Sequence, residues 1–301
     1  MARGSGLTLM VRRAWVLALA LVACRDAASG TPANATATAS STTSAASATA
    51  SGDSGPAVDA GVAVSDVEPA PLACIVKYYG GAARRDPSGW SWVADDGKTV
   101  SYHDGTTTIE SRWRNPTIED LFEQRYHTGP ITTPPVDYDP GRVRNDVIFF
   151  SAFGHDAAEV QKQLVTVMVA GKAFAVHKKI KPMMERVAHR LDSALKAKPS
   201  LATYFDKPGG TFNWRFIQGS DMLSNHSWAV ALDLDVPHSN YWRNEPGVAS
   251  GQKPIVWKNR YPQEVVDAFE AEGFIWGGRW WHFDTMHFEY RPELVDGSCY
   301  P

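Results

Sequence analysis

AVALDLDV, residues 229–236, alternates without a break. Val230, Leu232, Leu234 and Val236 fall on one face of an extended chain, and Ala229, Ala231, Asp233 and Asp235 on the other. One face is apolar and suits a core; the opposite face is small and acidic. Carboxylates in such a strand need partners, because burying them alone costs roughly several kcal/mol each. The alanines beside them leave room for one. His226 stands seven positions before Asp233. That odd offset puts the two on opposite faces of a straight strand, so the chain has to turn near Ser227-Trp228 if both address one point.

A second stretch has the same character. WWHFDTMHFEY, residues 280–290, sets His282, Asp284, His287 and Glu289 among bulky aromatics. Either these groups pair with one another or they hold a metal. Zn2+ takes imidazole nitrogen and carboxylate oxygen at about 2.0–2.2 Å, and catalytic sites use three protein ligands with a fourth place left for water. His226 and Asp233 supply two candidates and the C-terminal stretch a third, where His282 competes with His287. Gly277-Gly278, just upstream, suggests a tight turn that lets the chain approach the site. Trp228, Trp276, Trp280 and Trp281 read as core rather than as substrate platforms. LDVPHSNYWRNE, after the strand, breaks at Pro237 and reads as a loop over the cleft, with Tyr241, Trp242 or Arg243 in reach of a substrate.

The flanking segments mix helix and strand signals. GWSWVADDGKTVSYHDGTT alternates on both sides of Asp96-Gly97, which predicts a hairpin or small meander. NPTIEDLFEQRY predicts a short helix capped by Thr117 with Asp120 behind it. DAAEVQKQLVTVMVAG predicts a longer helix, with Asp156 and Glu159 as a capping box, Val160, Leu164, Val167 and Met168 as the apolar stripe, and Gly171 as its end. A third helix is expected from near Pro182 to Ala197, with Met184, Val187, Leu191 and Leu195 inward. A fourth runs through YPQEVVDAFEAEG, with Pro262 near its start and Gly273 past its end. His103, His127, His155, His177, His189 and His238 lie outside both blocks.

Toward the N-terminus, Arg3, Arg12 and Arg13 precede the apolar run AWVLALALVAC. A basic start, a short apolar centre and small residues before a cut site describe an export signal, and the run is shorter than the ~20 residues of a membrane-spanning helix. Leu21-Val22-Ala23-Cys24 resembles the lipobox of bacterial lipoproteins. That resemblance implies cleavage after residue 23 and lipid on Cys24. Residues 24–71, rich in Ala, Ser and Thr, offer almost nothing to bury and are expected to be a disordered tether. Losing the signal takes the formal charge from −3 to −6. A mildly acidic chain without a Lys/Arg block excludes nucleic acid as a partner class. The remaining cysteines, Cys74 and Cys299, stand at the two ends of the folded part and suggest a disulfide in an exported protein.

SNHSWAVALD resembles the Ser-x-His-x-x-Gly-x-Ala-x-Asp pattern of the zinc D-Ala-D-Ala carboxypeptidases and L-alanyl-D-glutamate endopeptidases that trim bacterial peptidoglycan. GFIWGGRWWHFDTMHFEY is similar to the family's second block, Trp-Gly-Gly-x-Trp followed by Asp-x-x-His-Phe-Glu. The strong resemblance covers residues 211–293. It implies one Zn2+ held by His226, Asp233 and His287, with Asp284 as general base and Arg215 touching substrate or intermediate. His287 is favoured over His282 by the family spacing. Ser224, Trp228, Trp280 and His282 become candidate substrate contacts, and Glu289 and Asp235 candidate supports of the ligands. Ala229 stands where the family has glycine, and its methyl could crowd the cleft.

The expected fold is α+β: a small antiparallel sheet carries the zinc site, helices pack on one side, and residues 72–149 form a β-rich segment ahead of a peptidase domain at 150–301. The expected function is a metallopeptidase acting on peptidoglycan stem peptides, as a monomer anchored by lipid in the cell envelope on the periplasmic side. Asp284 and the Trp-Gly-Gly block lean toward endopeptidase over carboxypeptidase. The alternatives are a non-catalytic wall-binding lipoprotein on the same fold, and a zinc hydrolase of free D,D-dipeptides or non-wall peptides.

Overall fold

The computed structural model describes residues 66–105, 109–217 and 220–301, with 109–111 as backbone only. The export signal, the Cys24 anchor and the tether up to residue 65 lie outside these residues. The described chain opens with helix α1 (Ala70–Tyr79), which begins inside the stretch expected to be tether. A three-stranded antiparallel meander follows: β1 (Ala82–Asp86), β2 (Gly89–Val93) and β3 (Thr99–Ser101). Short helices α2 (Ile109–Arg114), α3 (Ile118–Leu121), α4 (Asp146–Phe153) and α5 (Ala157–Gln161) come next. Strands β4 (Leu164–Val169) and β5 (Lys172–His177) form a hairpin, and α6 (Lys181–Ala197) is the long helix. The sheet that carries the site is assembled last, from β6 (Pro208–Gly210), β7 (Ala231–Asp235), β8 (Phe274–Trp276) and β9 (His287–Tyr290). Helix α7 (Gln263–Glu270) precedes β8, and α8 (Pro292–Val295) follows β9.

The fold is α+β, as the sequence implied, with antiparallel pairing throughout and the order β6-β7-β9-β8 in the last sheet. The alternation read in residues 229–236 becomes β7. Leu232 and Leu234 are fully buried, and on the same side Phe288 of β9 meets Phe269 of α7 at a ring distance of 4.4 Å. That apolar side seats α7, whose Val265, Val266 and Phe269 are buried. Fully burying each of these large side chains contributes about 1.5–3 kcal/mol. Val236 departs from the expectation. It begins a single 3-10 turn after the strand and is 45% exposed, because Pro237 ends the extended run.

The helix expected over residues 156–171 is two elements. Asp156 does cap a helix, accepting from the Glu159 N–H, but the helix ends at Gln161 and LVTVMV is β4. The stripe Val160, Leu164, Val167 and Met168 fits a period of 3.6, while Val167 and Val169 fit a period of 2. The β-branched content decides for the strand. Val167 and Val169 are buried and Met168 is exposed. Ala170 and Gly171, both with positive φ (49° and 78°), close the hairpin to β5 rather than a helix.

Residues 72–149 do more than form a β-rich preface. Leu72, Ile75, Trp92, Ile118 and Phe149 belong to the same hydrophobic core as Trp228, Leu232 and Phe288. Helix α1 packs against α8. A disulfide joins Cys74 to Cys299 across 225 residues; in the entropic model a loop of that length contributes about 5 kcal/mol.

Candidate metal centre

The site grows out of the β7–β9 register. Asp233 stands directly opposite His287, and Ala231 opposite Glu289. Alternation puts all of them on the face away from α7. Ala231 is small, so the imidazole of His287 has room between two carboxylates: Nδ1 lies 3.0 Å from Asp233 Oδ1, and Nε2 donates to Glu289 Oε2 at 3.2 Å. At the edge, Gly209 faces Asp233 so closely that a Cβ there would stand 2.9 Å from the Asp233 Cβ.

His226 arrives from a separate turn. The sequence demanded a bend near Ser227-Trp228, and Asn225–Trp228 is a single 3-10 turn that leaves through Ala229 at φ 53°. Ser224 caps it, its hydroxyl accepting from the His226 N–H at 3.4 Å. The turn is laced to the preceding segment, with Asn213 N–H on the His226 carbonyl, Ser224 N–H on the Arg215 carbonyl and Arg215 N–H on Ser227 Oγ. His226 is buried, and its Nδ1–H donates to the Thr211 carbonyl at 3.0 Å, which leaves the Nε2 lone pair facing the other two residues.

The outcome is a triangle. His226 Nε2 lies 3.3 Å from His287 Nδ1 and 3.3 Å from Asp233 Oδ1, and the third side is 3.0 Å. Ligands about 2.0–2.1 Å from a tetrahedral zinc stand about 3.3 Å apart. Both imidazoles have their outer nitrogen tied to an acceptor, Thr211 in one case and Glu289 in the other, so a cation that displaces the inner proton of His287 would meet two inward nitrogens. The donor set and its spacing fit a single Zn2+.

The electrostatics agree. Burial would lower the His287 imidazolium, yet the Asp233 and Glu289 carboxylates push it up to about 10. Burial would raise Asp233, but contact with the His226 and His287 imidazoles holds it below the usual carboxylate range. Glu289 is also buried, and contact with His287 and the charges of Arg144 and Arg291 push it down to about 2. Its Oε1 accepts from Arg291 Nη1 at 3.3 Å, and this ion pair is fully enclosed. The carboxylates of Asp233 and Glu289 thus favour positive charge at the imidazole between them.

Asp284 stands beside the triangle without being part of it. Its loop is pinned by its N–H on the Gly277 carbonyl at 3.0 Å, and a Cβ on Gly277 would stand 2.5 Å from the Asp284 carbonyl. Gly277-Gly278 is therefore a close approach, as read. Burial first, then the Asp233 carboxylate, pushes the Asp284 carboxyl up to about 6, and its Oδ1 has no hydrogen-bond partner among the described residues. A carboxyl with such a pKa and a free oxygen is poised to accept a proton near neutrality.

The triangle opens on a cleft of about 410 Å³ lined by Asp284, Arg215, Trp280, Tyr241 and Ser224 among others. Not every candidate reaches it. Trp228 is core, fully buried against Phe149, Phe150 and Trp214, with its indole N–H on the Gly154 carbonyl, so it is no substrate contact. His282 is outside the metal group; its Nδ1 pairs with Asp139 Oδ2 at 2.5 Å and its ring packs on Trp242. It is a strut tied to Asp139 by its backbone N–H and its ring. Asp235 supports no ligand: it is buried under Lys207 and His238, whose N–H groups and Nδ1 occupy its oxygens. Of the loop candidates only Tyr241 lines the cleft. Ala229 is absent from the lining and fully buried in the core, so its methyl does not crowd the cleft. Sequence reading missed Thr211, which acts through its backbone, and Arg142 and Arg144, which come from the segment it could not place.

Residues 218–290 match the model of the D-alanyl-D-alanine carboxypeptidase family. The match contains His226, Asp233, Asp284 and His287, and it is the family read from the two sequence blocks. Arg215 and residues 72–149 lie outside it. No solved structure matches the chain.

Proposed function

With residues 218–290 of D-alanyl-D-alanine carboxypeptidase kind as the premise, we propose that the protein is a zinc peptidase that hydrolyses a peptide bond in peptidoglycan stem peptides. The observation that carries this reading is the triangle of donor atoms 3.0–3.3 Å apart with the unpaired carboxyl of Asp284 beside it. His226, Asp233 and His287 would hold the ion. Zn2+ bound there supplies Lewis acidity, polarising a carbonyl and lowering the pKa of water to about 7. Asp284 takes the proton of the attacking water and returns it to the leaving amine. Arg215, exposed at the cleft wall, answers the negative oxygen that develops on the scissile carbonyl. Glu289 and the Thr211 carbonyl hold the two imidazoles in register.

The lipobox-like Leu21–Cys24 and the Ala/Ser/Thr-rich stretch after it support a reading in which this activity works on a lipid leash in the cell envelope, beside the wall. Loss of fatty-acid labelling in Cys24→Ala checks that part. The activity itself is tested with the zinc-loaded full chain and purified muropeptides, with and without chelator, read by mass spectrometry. A chelator-sensitive loss of one terminal alanine identifies a carboxypeptidase, and a cut between the first and second stem residues an endopeptidase. Intact muropeptides in the presence of zinc would defeat the proposal.

A further inference from the structure

The loop from Tyr138 to Asp146, outside the family match, forms one wall of the cleft and is clamped to the site along its length. The Tyr138 carbonyl accepts from Trp281 N–H at 2.8 Å, Asp139 takes His282 N–H and Nδ1, and the Pro140 carbonyl accepts from the Trp280 indole at 2.8 Å. The Gly141 carbonyl accepts from Arg291 Nη1 at 2.7 Å. Further on, Arg144 donates to the Leu223 carbonyl, and Asp146 Oδ2 accepts the Leu223 N–H at 3.1 Å, just before the turn that carries His226. So many clamps on so short a loop fix what it carries.

What it carries into the cleft is Arg142. The guanidinium is half-buried and lies over the Trp280 ring, 5.4 Å from its centroid. No carboxylate pairs with it among the described residues, and its charge acts on Asp284 and Tyr241. Stacking occupies its face and leaves the edge N–H groups, a fork that matches a carboxylate. Unmet polar capacity gathers in the same walls: both amide atoms of Asn225 and Asp284 Oδ1 are buried without hydrogen-bond partners among the described residues.

We infer that Arg142 is the specificity-determining anchor for a free α-carboxylate on the residue that supplies the leaving amine. The inference rests on the peptidase reading and deepens it. Both bonds in question share this feature. In a D-Ala-D-Ala terminus the leaving residue carries the terminal carboxylate. In an L-Ala-D-Glu link the glutamate continues through its γ-carboxyl and leaves its α-carboxylate free. One arginine beside the base thus serves either cut.

The test uses the zinc-loaded full chain and paired synthetic stem peptides, one a free acid and the other amidated at that α-carboxylate. Cleavage kinetics are measured in wild type and in Arg142→Gln and Arg142→Lys. Calorimetric binding is measured in Asp284→Asn with and without Arg142→Gln. Wild type should favour the acid about tenfold in KM, and Arg142→Gln should raise KM for the acid to that of the amide, with zinc content unchanged. Arg142→Lys should recover part of the preference. An Arg142→Gln protein that still prefers the acid as wild type does overturns the inference, as does wild-type cleavage of both peptides with equal KM; the peptidase reading survives either result. Acid-selective binding that needs Arg142, without any cleavage, upholds the inference and removes the peptidase reading. Neither binding nor cleavage removes both.

Discussion

Asp284 and Glu289 are carboxylates five residues apart in one stretch, and their surroundings give them opposite duties. Glu289 is held ionised, at about 2, by the imidazole it orients and by Arg144 and Arg291. Asp284 is pushed up to about 6 by burial and left with a free oxygen. Replacing Asp284 with Asn keeps the shape and removes the base: kcat should fall about 10²–10⁴-fold, with zinc content unchanged because Asp284 is outside the triangle. Stopped assays with metal analysis check both halves. Glu289→Gln should act the other way round, through the metal. His287 loses its charged acceptor, and zinc affinity measured by competition with a chelator should fall about 10–100-fold.

At the scale of elements, the turn Asn225–Trp228 and the strand β7 are one device, and Ala229 is the joint between them. A left-handed conformation costs an L-residue about 1–2 kcal/mol, which explains a family glycine at this place on backbone grounds. Ala229→Gly removes that strain, adds unfolded-chain entropy of about 0.4–1 kcal/mol and deletes one buried methyl. The opposing terms nearly cancel, so thermal stability and kcat/KM should both stay close to wild type; a several-fold rise in activity would mean that the methyl obstructs the cleft after all. The strand was legible in the sequence because its alternation is strict. The bend was legible from the odd spacing of His226 and Asp233. The β4–β5 hairpin was not, because LVTVMV with Val160 satisfies both periods and only tertiary packing chooses. Trp228 and Asp235 carried the right chemistry, but their partners, the Gly154 carbonyl and the Lys207–His238 corner, come from elements whose placement no local pattern specifies.

At the scale of the molecule, the two ends of the described folded part are joined. Cys74 binds Cys299, α1 packs on α8, and the 138–146 loop walls the cleft, so residues 72–149 are part of the machine whose centre lies in the family match. Global stability should also respond to pH at a group outside the candidate metal triangle. Burial, aided by Lys179, pushes His177 down to about 4 from an ordinary 6.5. The unfolded chain therefore binds more protons than the native one between those values, so the contribution is complete above about pH 6.5 and is lost as the pH falls toward 4. Denaturant midpoints across that range should decline, and less steeply in His177→Gln; equal slopes would refute the assignment. Among the described residues no helix is long and apolar enough to cross a membrane. The most direct test of the central claim is stoichiometric. Chelator-stripped protein is titrated with Zn2+ while stem-peptide cleavage is followed, in wild type and in His226→Ala. Activity in the wild type should rise linearly and break at one equivalent, with none in the variant. Full activity in the stripped protein, or the same restoration without His226, would contradict it.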